Sequence, residues 1–494
     1  MSSVLMPKLG EFSYFGILRW GLAASLLGGL ASGCIGDPAE SSNADKAEVT
    51  DQQIPAPTAA RMELDAPEPL PGNIGNFAAA DAALTASVCS STAGPYRCLA
   101  HIHATPTGYA QAFATPAGFG ATDLQDAYKI PSNSTAAPTV AVVVAYGYPE
   151  LEADLAVYRT QYGLPACTIA NGCLKIVNQT GATAPLPGPP PANDDWTLET
   201  ALDVDMVSAG CPKCKLVVVQ ATDNLGNGLF IGQSGAAKVG ANVISNSWGG
   251  SEQLGQSLTQ FEAALDNPGI STFAAAGDNG YNDAGRGPDY PGTSAKVIAV
   301  GGTTLVKDQS PRGYSETAWA KGGSACSYSI PKPVYQTNTG CNFKATVDVA
   351  AVGNAQTGVA VYNSRNGGWH ILGGTSASSP FVAAIFAATG NSNKVSGEFL
   401  KANAAKLFDV TSGTNGTCTS AILCTAGVGW DGPTGYGTPN ASAFIAPSTT
   451  MPDGNAGPSN EVVGGCAAGD VHPGWATTLM MFVATALRLR RRRT

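Results

Sequence analysis

The sequence predicts an α/β fold, a doubly wound three-layer architecture with a mostly parallel sheet and helices on both faces. Two observations predict it. Short β-branched runs show no polar alternation, as strands buried on both faces do. Segments of helical length and period separate these runs, which suits parallel crossovers. The first run is 139–145, followed by a helical pattern over 149–162. A short strand at 174–177 precedes a helix over 196–209. Strand 215–221 leads to helix 230–239, strand 242–245 to helix 258–265, and strand 270–275 closes the series. Ligands of such sheets bind beyond the carboxyl ends of the strands.

Composition narrows the function classes. Of 494 residues, 13% are charged and 44% are hydrophobic, and the net charge is −9 with only 27 Lys and Arg. This excludes a disordered chain, a coiled coil and a polytopic membrane protein, and it argues against a nucleic-acid partner. The two ends read as addresses. Lys8 and Arg19 precede an uncharged run over 20–33, the pattern of a secretory signal. The run ends in Leu30-Ala31-Ser32-Gly33-Cys34, which resembles a bacterial lipobox and implies a lipid on Cys34; the alternative is an ordinary signal cleaved nearby. At the other end, Gly464-Gly465-Cys466 precedes an uncharged stretch over 471–487, then Arg488 and the arginines 490–493. Arginines there would stop transfer. The arrangement resembles the C-terminal sorting signal of myxobacterial surface proteins; a plain tail anchor is the alternative. The chain is therefore expected at the cell envelope or surface, exported, with release into the medium left open.

Cysteine usage agrees with export. Of 12 cysteines, ten lie between Cys34 and Cys466 as close neighbours: Cys89/Cys98, Cys167/Cys173, Cys211/Cys214, Cys326/Cys341 and Cys418/Cys424. Local pairs suit disulfides in an oxidising compartment. Cys211 and Cys214 also fit half a zinc site, but no second such pair exists. The organisation is a signal over 1–33, a stalk over 34–84, an N-terminal extension over 85–114, a folded domain over 115–446, a linker over 447–465 and the C-terminal signal over 466–494.

Three places carry chemistry. Gly373-Gly374-Thr375-Ser376-Ala377-Ser378-Ser379-Pro380 runs into an apolar helix over 381–388, so Ser376 sits where a Gly-rich turn enters a helix. Backbone N–H groups and the helix dipole there can hold an oxyanion, although a Ser at this place often only caps a helix. Among the four histidines, His472 lies in the C-terminal signal and His101 and His103 precede the first strand. His370, on the same predicted strand and six residues before Ser376, is badly placed to face its hydroxyl. No Asp ends the first strand, where Val144, Ala145 and Tyr146 stand, so a Ser-His-Asp triad lacks support. Glu199 and Asp203 are i and i+4 on one helix face. In a pocket such a pair shares a proton and becomes a base; on the surface it is only an acidic face. Asp278, in Ala274-Ala275-Ala276-Gly277-Asp278, ends an apolar strand. It is either a turn residue or, when protonated, an oxyanion donor.

Together these motifs resemble the sedolisins, the serine-carboxyl peptidases of subtilisin-like fold. The resemblance covers roughly residues 115–446 and includes Ser245-Asn246-Ser247-Trp248-Gly249-Gly250, Tyr290-Pro291-Gly292 and Val347-Asp348-Val349. It implies a Ser376-Glu199-Asp203 triad, Asp278 at the oxyanion, polypeptide substrates and one structural Ca2+. The calcium ligands would be the Asp409 and Asp431 carboxylates and the Val410, Gly427 and Gly429 carbonyls. The chain departs from the family in having no room for a large folded propeptide. The expected function is an exported, acid-active, calcium-stabilised peptidase acting as a monomer, tied to the membrane by Cys34 lipid or the C-terminal helix. The alternative is a catalytically silent surface adhesin on the same fold.

Overall fold

The computed structural model describes residues 62, 84–90, 94–131, 137–192, 194–252 and 258–445. The secretory signal, Cys34, the linker and the C-terminal signal lie outside them, as does the stalk apart from residues 62 and 84. Among the described residues, no helix is long and apolar enough to cross a membrane.

Eight strands form the central sheet: β1 (Thr139–Ala145), β2 (Leu174–Asn178), β3 (Lys215–Ala221), β4 (Val243–Asn246), β5 (Ser271–Ala275), β6 (Ile298–Lys307), β7 (Tyr314–Ala318) and β8 (Val349–Val352). Their spatial order is β7-β6-β5-β4-β1-β3-β2, with β8 also along β6. All pairings are parallel except that of β7, which returns antiparallel along β6. Residues 140–145 of β1 are all buried, as a strand covered on both faces must be. Predicted and observed strands agree within a residue or two.

Among the described residues, the helices of eight or more residues are α1 (Leu151–Gln161), α2 (Trp196–Gly210), α3 (Asn227–Lys238), α4 (Leu258–Leu265) and α5 (Thr375–Ala388). α3 and α4 pack together, whereas α2 packs against both α1 and α5. This grouping has a topological consequence. The β1-to-β2 and β2-to-β3 connections run in opposite directions across the sheet, yet their helices α1 and α2 share one face. One of the two crossovers is therefore left-handed, against the usual rule. The exception places α2 beside α5, so the predicted carboxylates and the predicted serine come from two touching helices.

α2 is buried at every one of its 15 positions and α5 at every one of its 14. Helices that are apolar nearly all round belong in a core, and the acids of α2 go in with it. Asp195 starts α2 by accepting from the N–H groups of Thr197 and Leu198. α5 begins at Thr375, six residues before the apolar run that predicts it, because Gly374 turns the chain with φ 95° and φ > 0 favours glycine. Gly210 sets the closeness of the two helices: a Cβ there would lie 2.7 Å from the Ala384 Cβ.

The residues read as an extension, 85–114, are hydrogen-bonded into the domain. His101–His103 lies between Thr85–Ser87 and Gly368–Gly373, antiparallel to both. Arg97–Cys98 pairs antiparallel with Trp248–Ser251. The five expected disulfides all form.

Candidate active site

Glu199 and Asp203 project from adjacent turns of α2 into the contact with α5, and both are fully buried. Asp203 Oδ1 accepts a 2.6 Å hydrogen bond from the Ser247 hydroxyl, just beyond β4. Neither oxygen of Glu199 has a hydrogen bond of ordinary length, nor does Asp203 Oδ2. Burial pushes the Glu199 carboxyl well up, the neighbouring Asp203 charge adds to this, and the Ser376 hydroxyl opposes it. Burial likewise raises Asp203, against the Ser247 hydroxyl. Two like charges in a dry contact cannot both persist, so the pair retains a proton above the usual carboxylate range.

Ser376 lies in the first turn of α5, with Glu199 in reach. Its hydroxyl donates to the Ser247 carbonyl at 3.0 Å. Its N–H, free of helix bonding as first-turn amides are, donates to the Leu99 carbonyl at 2.9 Å. Pro380 has no N–H, so the Ser376 carbonyl has no i+4 partner; the Ser247 hydroxyl approaches it at 3.5 Å.

Asp278 follows β5 at the carboxyl edge of the sheet, fully buried. Its Oδ1 accepts from the Thr375 N–H at 2.8 Å and the Thr375 hydroxyl at 2.7 Å. Its Oδ2 has no hydrogen-bond partner and faces His101 Nε2 at 3.5 Å. Burial raises its pKa, while His101 and Thr375 pull the other way. A Cβ on Gly374 would fall 2.1 Å from the Leu99 carbonyl oxygen and 2.7 Å from Asp278 Oδ2. Those two oxygens and the Ser376 N–H thus converge over one glycine, the place where an oxyanion would sit.

The other candidates fall elsewhere. His370 is buried on the strand Gly368–Gly373 with Nδ1 3.1 Å from the Gln111 carbonyl, and burial lowers it to about 4. It is packed as a neutral histidine on that strand. Cys211 and Cys214 are joined to each other. Asp409 and Asp431 come to one turn: Asp409 Oδ2 accepts from the Gly429 N–H and Asp431 Oδ2 from the Gly427 N–H, both at 2.9 Å. Burial first, and Asp409 among lesser causes, pushes Asp431 up to about 6. Val410 is buried beside them. Among the described residues, no group of three or more His, Cys, Asp or Glu gathers around a metal-sized point.

Four contributors escape sequence reasoning. Ser247 holds both Asp203 and the Ser376 hydroxyl; its only signal is its place in Ser245-Asn246-Ser247-Trp248. Thr375 holds Asp278, which nothing but adjacency to Ser376 suggests. His101 and Leu99 enter the site from a segment that reads as an extension.

The Subtilase family, Peptidase S8, matches residues 192–437. Kumamolisin of Bacillus sp. (strain MN-32) is 28% identical over 358 residues, which is 66% of this chain and 63% of the relative. Sedolisin of Pseudomonas sp. (strain 101) is 28% identical over 367 residues, 66% of this chain and 60% of the relative. The chain thus spans less than two thirds of these relatives' length. The structure of Pseudomonas sedolisin, a serine-carboxyl proteinase complexed with two molecules of pseudo-iodotyrostatin, superposes with a TM-score of 0.55 at 24% identity, covering 67% of this chain and 98% of that one. The fold is subtilisin-like.

The buried pair links stability to pH. Both carboxyls are raised above their unfolded values, so folding binds their protons more tightly than the open chain does. Their contribution is complete below the ordinary carboxylate range and is lost as pH rises through their folded values. Thermal unfolding should show the wild-type midpoint falling from pH 4 to pH 8. The Glu199→Gln/Asp203→Asn variant should lose part of that slope and gain stability at pH 8; an unchanged slope would place the carboxyls in water.

Proposed function

We propose that this chain is an exported serine-carboxyl peptidase that hydrolyses polypeptides through an acyl-enzyme. The observation that carries the reading is the convergence of Glu199, Asp203, Ser376 and Asp278 at one dry contact between α2, α5 and the carboxyl edge of β5. Turning the Ser376 hydroxyl from the Ser247 carbonyl to Glu199 aligns it with a base. Glu199 takes the proton while Asp203, which shares the pair's remaining proton, keeps two charges from building up. Ser376 Oγ bonds to the peptide carbonyl carbon. The Ser376 N–H and the protonated Asp278 Oδ2 donate to the oxyanion, and Thr375 holds Asp278 in place. Glu199 passes its proton to the leaving amine. Water then adds to the acyl group, with Glu199 again moving the proton, and Ser376 is restored.

A structural calcium ion fits the Asp409–Asp431 turn. Two carboxylates meet there, one of them buried, and a cation would relieve the repulsion that helps to raise Asp431. The Asp409 and Asp431 carboxylates and the Val410, Gly427 and Gly429 carbonyls would hold it, and the ion would supply cross-linking alone. Envelope localisation by the Cys34 lipid or the C-terminal signal belongs to the same reading, supported by five disulfides that need an oxidising compartment.

Two measurements test this. Cleavage of a mixed peptide library should be greatest on the acid side, because it is lost as Asp278 ionises with rising pH and as the Glu199–Asp203 pair becomes fully protonated with falling pH. Ser376→Ala and Glu199→Gln should each abolish it, and Asp278→Ala should lower kcat by about 10²–10³. Full activity at pH 8 with loss at pH 4, or activity in the Ser376→Ala variant, would contradict the mechanism; a folded wild type without activity would indicate the silent adhesin. Separately, chelation should lower the thermal midpoint, calcium at about 100 times its dissociation constant adding about 2.7 kcal/mol. Asp431→Asn should remove that calcium response; a midpoint indifferent to calcium in the wild type would refute the site.

A further inference from the structure

Tyr290-Pro291-Gly292 and Val347-Asp348-Val349 stand outside the acid pair and the nucleophile, and one buried lysine joins them. Lys344 lies on the short strand Phe343–Ala345 and is fully buried. Its Nζ donates to the carbonyls of Gly292 and Thr346, both at 3.1 Å, and stands 3.8 Å from Asp348 Oδ2. Burial lowers its pKa, which Asp348, Glu262 and Glu252 oppose in that order. An ammonium sealed from water needs oxygen partners for its hydrogens and a counter-ion for its charge. Asp348 is itself fixed without the lysine. Its Oδ2 accepts from the Ala299 N–H of β6 and its Oδ1 from the Tyr335 hydroxyl, both at 3.0 Å. Lys344 is therefore a strut that runs from an anchored carboxylate to two carbonyls.

Those carbonyls belong to two walls of one cavity. Ala276, Gly277, Asp278, Asp289, Gly323 and Thr346 are among the residues that line it. The first wall is the turn 289–292, closed by the Thr293 N–H on the Asp289 carbonyl at 3.2 Å. Gly292 backs onto the end of β5: a Cβ there would lie 3.0 Å from the Ala275 carbonyl oxygen. The second wall hangs from Thr346, whose N–H and hydroxyl both donate to the Ala325 carbonyl, at 3.0 and 2.9 Å. Gly323, two residues before Ala325, donates its N–H to the Gly277 carbonyl at 2.6 Å, next to Asp278. The ammonium thus grips both walls from behind. A cavity selects side chains by the contacts and exclusions that its shape imposes.

We infer that Lys344 is a positioning residue for peptide recognition: by holding the Gly292 and Thr346 carbonyls it fixes the spacing of the two walls, and so sets which substrate side chain the cavity beside Asp278 admits. The inference rests on the peptidase reading above. Lys344 acts only through these walls, from a place behind them. Its two tasks are separable. As counter-ion to Asp348 it serves stability; as donor to the two carbonyls it serves the shape of the cavity. A methionine in its place fills the volume, leaves both carbonyls without that donor and strands the Asp348 charge. Adding Asp348→Asn then removes the stranded charge and leaves the carbonyls as they were.

The test compares the full chain with its Lys344→Met and Lys344→Met/Asp348→Asn variants by thermal unfolding, hydrogen exchange and peptide-library cleavage at pH 4. Lys344→Met should lower the thermal midpoint, and the double variant, which loses one charge of each sign, should recover most of the loss. In the double variant, exchange over 276–278, 289–294 and 323–325 should still be about tenfold faster than in the wild type. The decisive readout is selectivity. The ratio of kcat/KM between a peptide that the wild type prefers and one that it cleaves poorly should fall about tenfold in the double variant. A merely structural lysine would scale both peptides alike and leave the ratio unchanged. A double variant with the wild-type ratio overturns the inference and leaves the peptidase reading standing, as does wild-type exchange in the three segments. A wild type that cleaves nothing overturns the peptidase reading and this inference with it.

Discussion

The site depends on one unfavourable burial. Glu199 and Asp203 are carried into the core on a helix with no exposed face, and the hydroxyls of Ser247 and Ser376 do not cover their four oxygens. In water such a pair would be a slightly repulsive acidic face. At the α2–α5 contact, loss of solvent makes a second charge costly and converts the pair into a holder of one mobile proton. The surrounding architecture can be understood as what makes that burial affordable: the unusual crossover that brings α2 beside α5, the glycine that lets the helices touch, and the Ser247 hydroxyl aimed at Asp203. A native state that tolerates such groups gives up stability for function, as active sites commonly do.

Much of this was legible in the sequence, for identifiable reasons. β1 and β3 could be read because β-branched residues without alternation leave few alternatives to a doubly covered strand. The i and i+4 spacing placed Glu199 and Asp203 on one face, and Leu198, Leu202 and Val204 argued that the face is not open to water. The entry of α5 at the Gly-rich turn was legible, but the apolar run 381–388 marks only its later turns, because Thr375, Ser376, Ser378 and Ser379 are poor helix formers and Pro380 breaks most helices; tertiary packing overrides both. The pairing of nearby cysteines was readable because short loops favour local disulfides. The position of residues 97–103 was not readable. Nothing in Arg97-Cys98-Leu99-Ala100 distinguishes a strand paired into the domain from a linker, and the carboxylates that Arg97 meets, Asp283 and Asp289, lie far along the chain.

The segment around Leu99 is tied to the same chemistry. Ser247 accepts from the Leu99 N–H and the Ser376 hydroxyl through its carbonyl while its own hydroxyl holds Asp203. One residue thus registers that segment, the nucleophile and the acid pair against each other. Asp278 is likewise shared: Thr375 fixes one oxygen, and the other faces His101 and lies with the Leu99 carbonyl over Gly374. Positioning and electrostatics here come from the same few atoms, so a strand out of register would lose both together.

The central claim is that Glu199 and Asp203 share a proton where exposed carboxylates have none. Infrared difference spectroscopy across pH 5 to 8 measures it directly, because a protonated carboxyl has its own C=O stretch. The account predicts a buried carboxyl band in the wild type at pH 6 that is lost or displaced in both Glu199→Gln and Asp203→Asn. Wild-type and variant spectra that superimpose in the protonated-carboxyl region at pH 6, in both position and intensity, would mean that neither acid holds a proton there, and would contradict it.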